Sequence, residues 1–456
     1  MSQEEHQEDI LSLKARLSPY FINMVKIVQA KPSIFFLGIL LVLTIVSYAN
    51  VIDGEFQFDD YMVITDNLYI KNIENFMNPG GLIGMIGGER YITDFTFAIN
   101  YYYNQLSPRG YHFFSVILHF CVACLVFLLA RRIFLFDTSF HENSNNYFAF
   151  LAAAIFALHP VNTGAVSYIS QRAEILCTFF YLVALLFYIK AGEHTGRIAK
   201  ISLYTAGLSQ YLLSLGSKLS AVSFPGTLFL YDFLTPKRKG FLKRLPPYLI
   251  TAVLTGVIGF LFLSSQRIAR DIGYSLGRID FKTYLYTEFR VVLTYIRLLF
   301  LPVNQNFDYE FRLSSSILEW DTLLSLLTII ALIIYAFLLR RRSPIVAFGI
   351  LWFFLTLMPT SSFVPVVDVI FEHRVYMPSI GFALVAAFCI LKGIDLLKGS
   401  MILKSSWNVA AGTVTLLLLA GMTYATIERN RVWESKMSLW SDVVKKSPGK
   451  PGFSRT

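Results

Sequence analysis

Apolar stretches of about 17 to 25 residues, each long enough to cross roughly 30 Å of hydrocarbon as a helix, recur along almost the whole of this chain. That recurrence excludes a soluble fold. Only helices satisfy their own backbone in lipid over such lengths, so an all-α polytopic membrane protein is expected. The chain has 456 residues, of which 55% are hydrophobic and 15% charged, far from soluble usage.

Eleven spans are expected, near residues 33–50, 112–131, 148–165, 173–190, 201–216, 219–234, 246–264, 322–339, 344–360, 376–394 and 407–425. The basic residues alternate between loops as the positive-inside rule requires. They are Lys14, Arg16, Lys26 and Lys31; Arg131 and Arg132; Lys190, Arg197 and Lys200; Lys237 to Lys239, Lys243 and Arg244; Arg340 to Arg342; and Lys392, Lys398 and Lys404. The N-terminus is therefore expected in the cytoplasm and the C-terminus outside. The net charge of +10 reads as a topology signal, not as a nucleic-acid surface. A twelfth apolar stretch, Tyr284 to Leu301, carries Glu288, Arg290 and Arg297. Counting it as a span puts Arg340 to Arg342 on the wrong side, so it is expected to be re-entrant or interfacial. The chain then divides into a cytoplasmic segment 1–31, a membrane domain 32–425 and an extracytoplasmic tail 426–456. Its long outer loops are 51–111 and 265–321. The first span lacks a cleavage pattern and reads as a retained anchor. Cys121 and Cys124 form a lone CxxC inside a span and read as packing.

With this topology the unusual polar residues gather on the outer side. Asp59 and Asp60 sit just beyond the first span, in Val51-Ile-Asp-Gly-Glu-Phe-Gln-Phe-Asp-Asp-Tyr61. Arg90, His159, Arg172, Glu174, Lys218, Asp308, Glu372, His373 and Arg374 fall on the same side. Singly, each reads as a solvated loop charge or a snorkelling side chain. Together they describe a face rich in acids, bases and cations. Such a face suits transfer of a group from a membrane-anchored phosphate donor to a hydroxyl. A carboxylate takes the hydroxyl proton, and fixed cations stabilise the leaving phosphate. Of two adjacent carboxylates, one serves as base while the other orients it or holds a divalent cation; the sequence leaves both open. No Walker loop, dinucleotide glycine pattern or HExxH is present, which argues against nucleotide chemistry. The 25 Tyr and 41 Phe read mainly as interfacial belts and core, with Tyr101 to Tyr103 a candidate for stacking on sugar or lipid.

Several motifs in fixed order carry a family resemblance. They are Phe56-Gln-Phe-Asp-Asp-Tyr with Asp66-Asn67, Arg90-Tyr-Ile-Thr-Asp, Gly110-Tyr-His112, Leu118-His119, His159-Pro-Val, Ser170-Gln-Arg-Ala-Glu174, Ser217-Lys218, Tyr231-Asp232, Leu301-Pro-Val-Asn-Gln-Asn-Phe-Asp308-Tyr and Phe371-Glu-His-Arg-Val-Tyr-Met-Pro378. Over residues 33 to 450 the chain resembles the membrane half of the TMTC-type proteins, transmembrane and tetratricopeptide-repeat O-mannosyltransferases, and their bacterial relatives. The Pro302 to Tyr309 wording is closer to the bacterial branch. The resemblance implies an inverting GT-C glycosyltransferase that uses a polyprenyl-phosphate sugar and a protein or glycan hydroxyl acceptor. It implies residence in a bacterial cytoplasmic membrane, or in the endoplasmic reticulum of a eukaryote. It makes Asp59 the base and Asp60 its partner, and assigns Arg172, Lys218 and Arg374 to the donor phosphate. Arg90, His112, His159, Glu174, Asp308, Glu372 and His373 complete the implied active face. Gly164 and Leu219 stand where relatives usually have Glu. Trp433 to Lys450 resembles the lead-in to the repeats, but no 34-residue period follows, so truncation or a separate repeat-bearing partner is expected. Two other classes stay open. A catalytically silent scaffold or assembly subunit fits Gly164, Leu219 and the missing repeats, and a secondary transporter would need an internal repeat and charges at span midpoints.

Overall fold

The fold is that of a computed structural model, which describes residues 32–77, 90–137, 144–235, 244–264, 279–361, 368–400 and 406–449. The segment 1–31, the basic stretch 237–243 and Lys404 lie outside those residues. All regular structure among the described residues is helical. In chain order the main helices are α1 (Pro32–Tyr48), α2 (Tyr91–Asn104), α3 (Pro108–Phe134), α4 (Asn145–Leu158), α5 (Arg172–Glu193), α6 (Arg197–Leu215) and α7 (Phe224–Leu234). They continue with α8 (Leu245–Ser264), α9 (Phe281–Phe300), α10 (Trp320–Leu339), α11 (Pro344–Leu357), α12 (Ser379–Ser400), α13 (Ser406–Arg431) and α14 (Lys436–Lys446).

A helix covers most of each of the eleven stretches expected to cross the membrane. Five described helices are long and apolar enough to cross, or six if Asn145–Leu158 and Pro160–Val166 form one span bent by 50°. Leu219–Leu234, Leu245–Leu261 and Pro344–Leu357 are apolar but shorter. Eleven crossings therefore remain an expectation. Of the stretch expected to be re-entrant or interfacial, Tyr284 to Phe300 lie in the continuous helix α9 and Leu301 caps it; the helix buries Tyr284, Glu288, Val291, Val292, Tyr295 and Leu298 on one face.

Helix α4 runs through the centre, where Ala152, Ala153 and Ala154 are completely buried and let α1, α3 and α12 pack close. Small residues serve the same purpose where α11 meets α12: a Cβ on Gly349 would strike the Gly381 carbonyl oxygen. The bend after α4 follows from Pro160, which has no N–H to continue the helix. His159 replaces what the proline removes. Its Nδ1 accepts the Val161 N–H at 3.2 Å, and its Nε2 donates to the Leu299 carbonyl at 2.9 Å. Residues 159–171 are then a chain of single turns, buried throughout, as irregular backbone at this depth must be.

The two ends of the bundle differ in character. At one end Arg132 pairs with Glu193 at 2.8 Å, and Asp232 accepts from Tyr188 at 2.5 Å and pairs with Arg244 at 3.2 Å. The opposite end gathers Asp59, His159, Lys218, Asn306, Glu372 and Trp433.

Candidate active site

The segment 52–60 descends from the turn that closes α1 and runs into a π-helical turn, Tyr61–Thr65. The two aspartates at its end have different environments. Asp60 is 1% exposed and accepts the Gln57 N–H at 2.9 Å and the Ser170 N–H at 2.6 Å. Burial pushes its carboxyl up to about 7, against the pull of those two amides. Asp59 is half-buried, and its backbone N–H donates to the Tyr168 hydroxyl at 3.0 Å. Its carboxylate has no hydrogen-bond or ion-pair partner among the described residues. One carboxylate thus belongs to the scaffold, and its neighbour is presented.

Tyr168 stacks on Trp433, with ring centroids 5.5 Å apart and planes at 21°, and meets Phe307 edge-on at 5.6 Å. These rings line a cleft with Gly164, Asn306, Phe371, Glu372 and His373. Gly164 keeps the cleft open. A Cβ there would lie 3.4 Å from the His373 nitrogen and 3.5 Å from the Glu372 Cβ, ordinary contact distances, so the space is available rather than forbidden.

Cations collect beside the His373 side of this cleft. The Lys218 Nζ lies 2.6 Å from Glu174 and donates to the Gln171 Oε1 at 3.2 Å. Ser220 donates to the other Glu174 oxygen at 3.2 Å. Burial holds the Lys218 ammonium below its usual range, Glu174 opposes this, and the positive Arg90 and Arg374 add to it. Arg374 donates to the Val369 and Asp368 carbonyls at 3.0 and 2.7 Å and lies over the Phe371 ring. His373 stacks on the same ring at 5.1 Å. Burial, followed by the charges of Lys218, Arg374 and Arg90, holds its imidazole well below the usual range, so it is neutral at pH 7. Arg90 is exposed at the start of α2, and its guanidinium has no hydrogen-bond or ion-pair partner among the described residues. Three cations around a neutral imidazole, with Glu174 against one of them, form ground suited to an anion.

Three of the remaining residues of the expected face, Arg172, Glu372 and His159, brace the protein. Arg172, expected at the donor phosphate, is wholly buried and faces inward. It donates to Ser115 (3.3 Å), Asn100 (2.6 Å), Thr96 (3.3 Å) and the Tyr111 carbonyl (2.9 Å), between the rings of Phe97 and Phe114. It pins α2 against α3, with Nε, Nη1 and Nη2 each already engaged. Glu372 accepts from Gln305 (2.9 Å), the Asn306 N–H (2.7 Å) and the Tyr309 hydroxyl (2.6 Å), which ties down the 302–310 loop. His159 supports the bend already described. His112 is buried, and among the described residues neither ring nitrogen has a hydrogen bond of good geometry; its Nε2 lies 3.2 Å from where a Cβ on Gly54 would stand. Asp308 is half-buried and directly follows Phe307.

Among the described residues no group of three or more His, Cys, Asp or Glu is placed to hold a metal ion. Both Asp60 oxygens face amides. Tyr168, Phe307, Trp433 and Trp440 were not expected at the site: Phe307, Trp433 and Trp440 stand inside motifs that the sequence marks, and Tyr168 lies two residues ahead of Ser170, but one aromatic among 66 Tyr and Phe carries no signal of its own.

No family model matches the chain, and no solved structure matches it. It is 27% identical, over 90% of its length and 57% of the relative's, to a Caenorhabditis elegans protein named protein O-mannosyl-transferase F38B6.6. It is 26% identical to Drosophila melanogaster protein O-mannosyl-transferase Tmtc3, over 88% of the chain and 50% of that protein. It is 24% identical to Homo sapiens protein O-mannosyl-transferase TMTC1, over 88% and 50%. The chain thus spans about half the length of the curated relatives it matches. Along about nine-tenths of its length, this chain is similar to protein O-mannosyl-transferases, TMTC proteins among them.

Proposed function

We propose that the chain is a GT-C-type glycosyltransferase that moves mannose from a polyprenyl-phosphate donor to a protein Ser or Thr hydroxyl on the extracytoplasmic face, with inversion. The relatives' names support the sugar and the protein acceptor. The single observation that carries the chemistry is the division between the aspartates: Asp60 is buried and engaged, whereas Asp59 is presented with an unengaged carboxylate.

In this reading Asp59 takes the acceptor hydroxyl proton as the oxygen attacks the anomeric carbon from the face opposite the phosphate. The bond from that carbon to the phosphate oxygen breaks, and its electron pair leaves with the lipid phosphate. Lys218, Arg90 and Arg374 stabilise the charge that develops there, and no general acid is required. The neutral His373 adds a hydrogen-bonding group without a second proton to place. Lys218 and Arg90 take the direct contacts, because Arg374 already donates to two carbonyls. Arg172 leaves the donor site and becomes a support for the first outer loop.

Purified chain in lipid, supplied with undecaprenyl-phosphate mannose and a Ser/Thr peptide, tests this. Asp59→Asn keeps the shape and removes the base, so transfer should fall by about 10²- to 10⁴-fold while donor binding survives. A larger loss in Asp60→Asn would reverse the two roles. Near-normal transfer in both variants would end the enzymatic reading of the pair and favour a silent scaffold.

A further inference from the structure

The residue before Asp59 breaks a local rule. Phe58 has a φ of 39°, in the left-handed region where a side chain with a Cβ is disfavoured, and the residue is 46% exposed. Glycine or asparagine would fit that turn more cheaply, and nothing in forming the turn calls for a large aromatic. Such a conformation persists only where the surroundings over-determine it. Here the Asp60 carboxylate closes the turn on the Gln57 N–H, the Asp59 N–H is held by Tyr168, and two rings meet the Phe58 side chain itself. Phe58 meets Phe307 edge-on at 5.4 Å and Trp440 at 6.3 Å, and Phe307 meets Trp440 at 6.0 Å.

The three rings come from three separate parts of the chain: the first outer loop, the loop after α9, and α14. The last of these is firmly anchored. Leu439 and Val443 of α14 are buried, and Asp442 bridges Arg429 at 3.0 Å and Lys446 at 2.7 Å. Lys446 also donates to the Gln305 carbonyl at 2.6 Å, two residues before Phe307. At its other end, the Lys436 N–H donates to Glu55 at 3.1 Å, and the Lys436 ammonium lies 4.0 Å from the centre of the Tyr61 ring. Helix α14 therefore grips both sides of the Asp59 turn.

We infer that Phe58 and Trp440 are positioning residues for Asp59: the Phe58–Phe307–Trp440 triangle fixes the direction of the carboxylate, which makes α14 part of the catalytic centre. This rests on the assignment of Asp59 as base. A misplacement of about 1 Å in such a group can cost on the order of 10²-fold in rate, so turnover is where the triangle should register.

The test uses the same full chain, donor and peptide, with Asp59→Asn run alongside. Phe58→Gly removes the ring but suits the left-handed backbone, so it should fold at least as well as the wild type. It should nevertheless lose about 10²-fold in kcat with donor KM unchanged. Trp440→Ala should do the same, Trp440→Phe should restore most of the turnover, and the double variant should be no worse than either single one, because both break one clamp. Wild-type kcat in Phe58→Gly, with Asp59→Asn inactive, overturns the inference and leaves the function standing. If Trp440→Ala does not fold, Phe58→Gly decides alone. An active Asp59→Asn removes both the function and the inference built on it.

Discussion

The Ser170 N–H donates to the Asp60 carboxylate at 2.6 Å, and this bond fastens the first outer loop to the broken stretch that follows His159. The second Asp60 oxygen accepts the Gln57 N–H, so one side chain shapes its own turn and docks it. An asparagine offers one acceptor oxygen and turns an NH₂ toward the other amide. Asp60→Asn should therefore cost about 1–3 kcal/mol of stability, the cost of one buried donor left unmet. Its thermal midpoint in detergent should fall, and its loss of turnover should be smaller than that of Asp59→Asn.

Arg172 makes a stronger demand on geometry, because its guanidinium reaches Ser115, Asn100, Thr96 and the Tyr111 carbonyl at once. A lysine ammonium cannot fork to these four partners from one point. Arg172→Lys should lower stability by about 2–4 kcal/mol, within the range for breaking a buried network. Donor KM of the folded fraction should not change. A raised donor KM at normal stability would return Arg172 to the phosphate.

Glu288 gives a pH test with a definite sign. It is 1% exposed on α9, where the Tyr284 and Ser361 hydroxyls stand beside its carboxyl, but among the described residues neither carboxyl oxygen has a hydrogen bond of good geometry. Burial pushes its carboxyl from 4.5 up to about 7, opposed by the Arg374 charge. The native state then holds more protons than the unfolded chain between those two values. Stability should fall as pH rises across that window and level off above it. Between pH 5 and 8 the wild type should lose about 2 kcal/mol that Glu288→Gln does not lose. Paired denaturation curves at the two pH values measure the difference, and equal slopes would mean that Glu288 is ionised throughout.

Much of the architecture is legible in the sequence, because hydrophobic length and the helical requirement of lipid act locally. The eleven apolar stretches carry helices, and the Asp59-Asp60 pair lies at the end where the other polar motifs converge. The roles of individual charges were harder to read. Arg172 looks the same in a motif whether it faces a phosphate or an internal cage, and its partners lie 57 to 76 residues earlier. Glu372 finds its partners in the 305–309 loop by the same kind of distant pairing, with Asn306 66 residues away. The aromatic triangle at Asp59 joins residues 58, 307 and 440, a relation that no local pattern records. The backbone anomaly at Phe58 is equally silent in sequence, since φ is set by what surrounds it.

Arg90 is the cation with the least structural work to do. It is exposed, it has no side-chain partner among the described residues, and its charge still bears on both Lys218 and His373. If the donor phosphate sits on that ground, Arg90→Ala should raise donor KM by about tenfold, the lower end for a charge-assisted hydrogen bond. Stability should stay within about 0.5 kcal/mol, as for other surface substitutions. Arg90→Lys should recover part of the affinity, because it keeps the charge but loses the fork. The wild-type advantage should also shrink as salt rises, since an exposed charge is screened. Donor titrations of the three proteins at low and high salt measure all of this. A donor KM that ignores both substitutions would remove Arg90 from the phosphate and leave Lys218, paired with Glu174, to meet the leaving group.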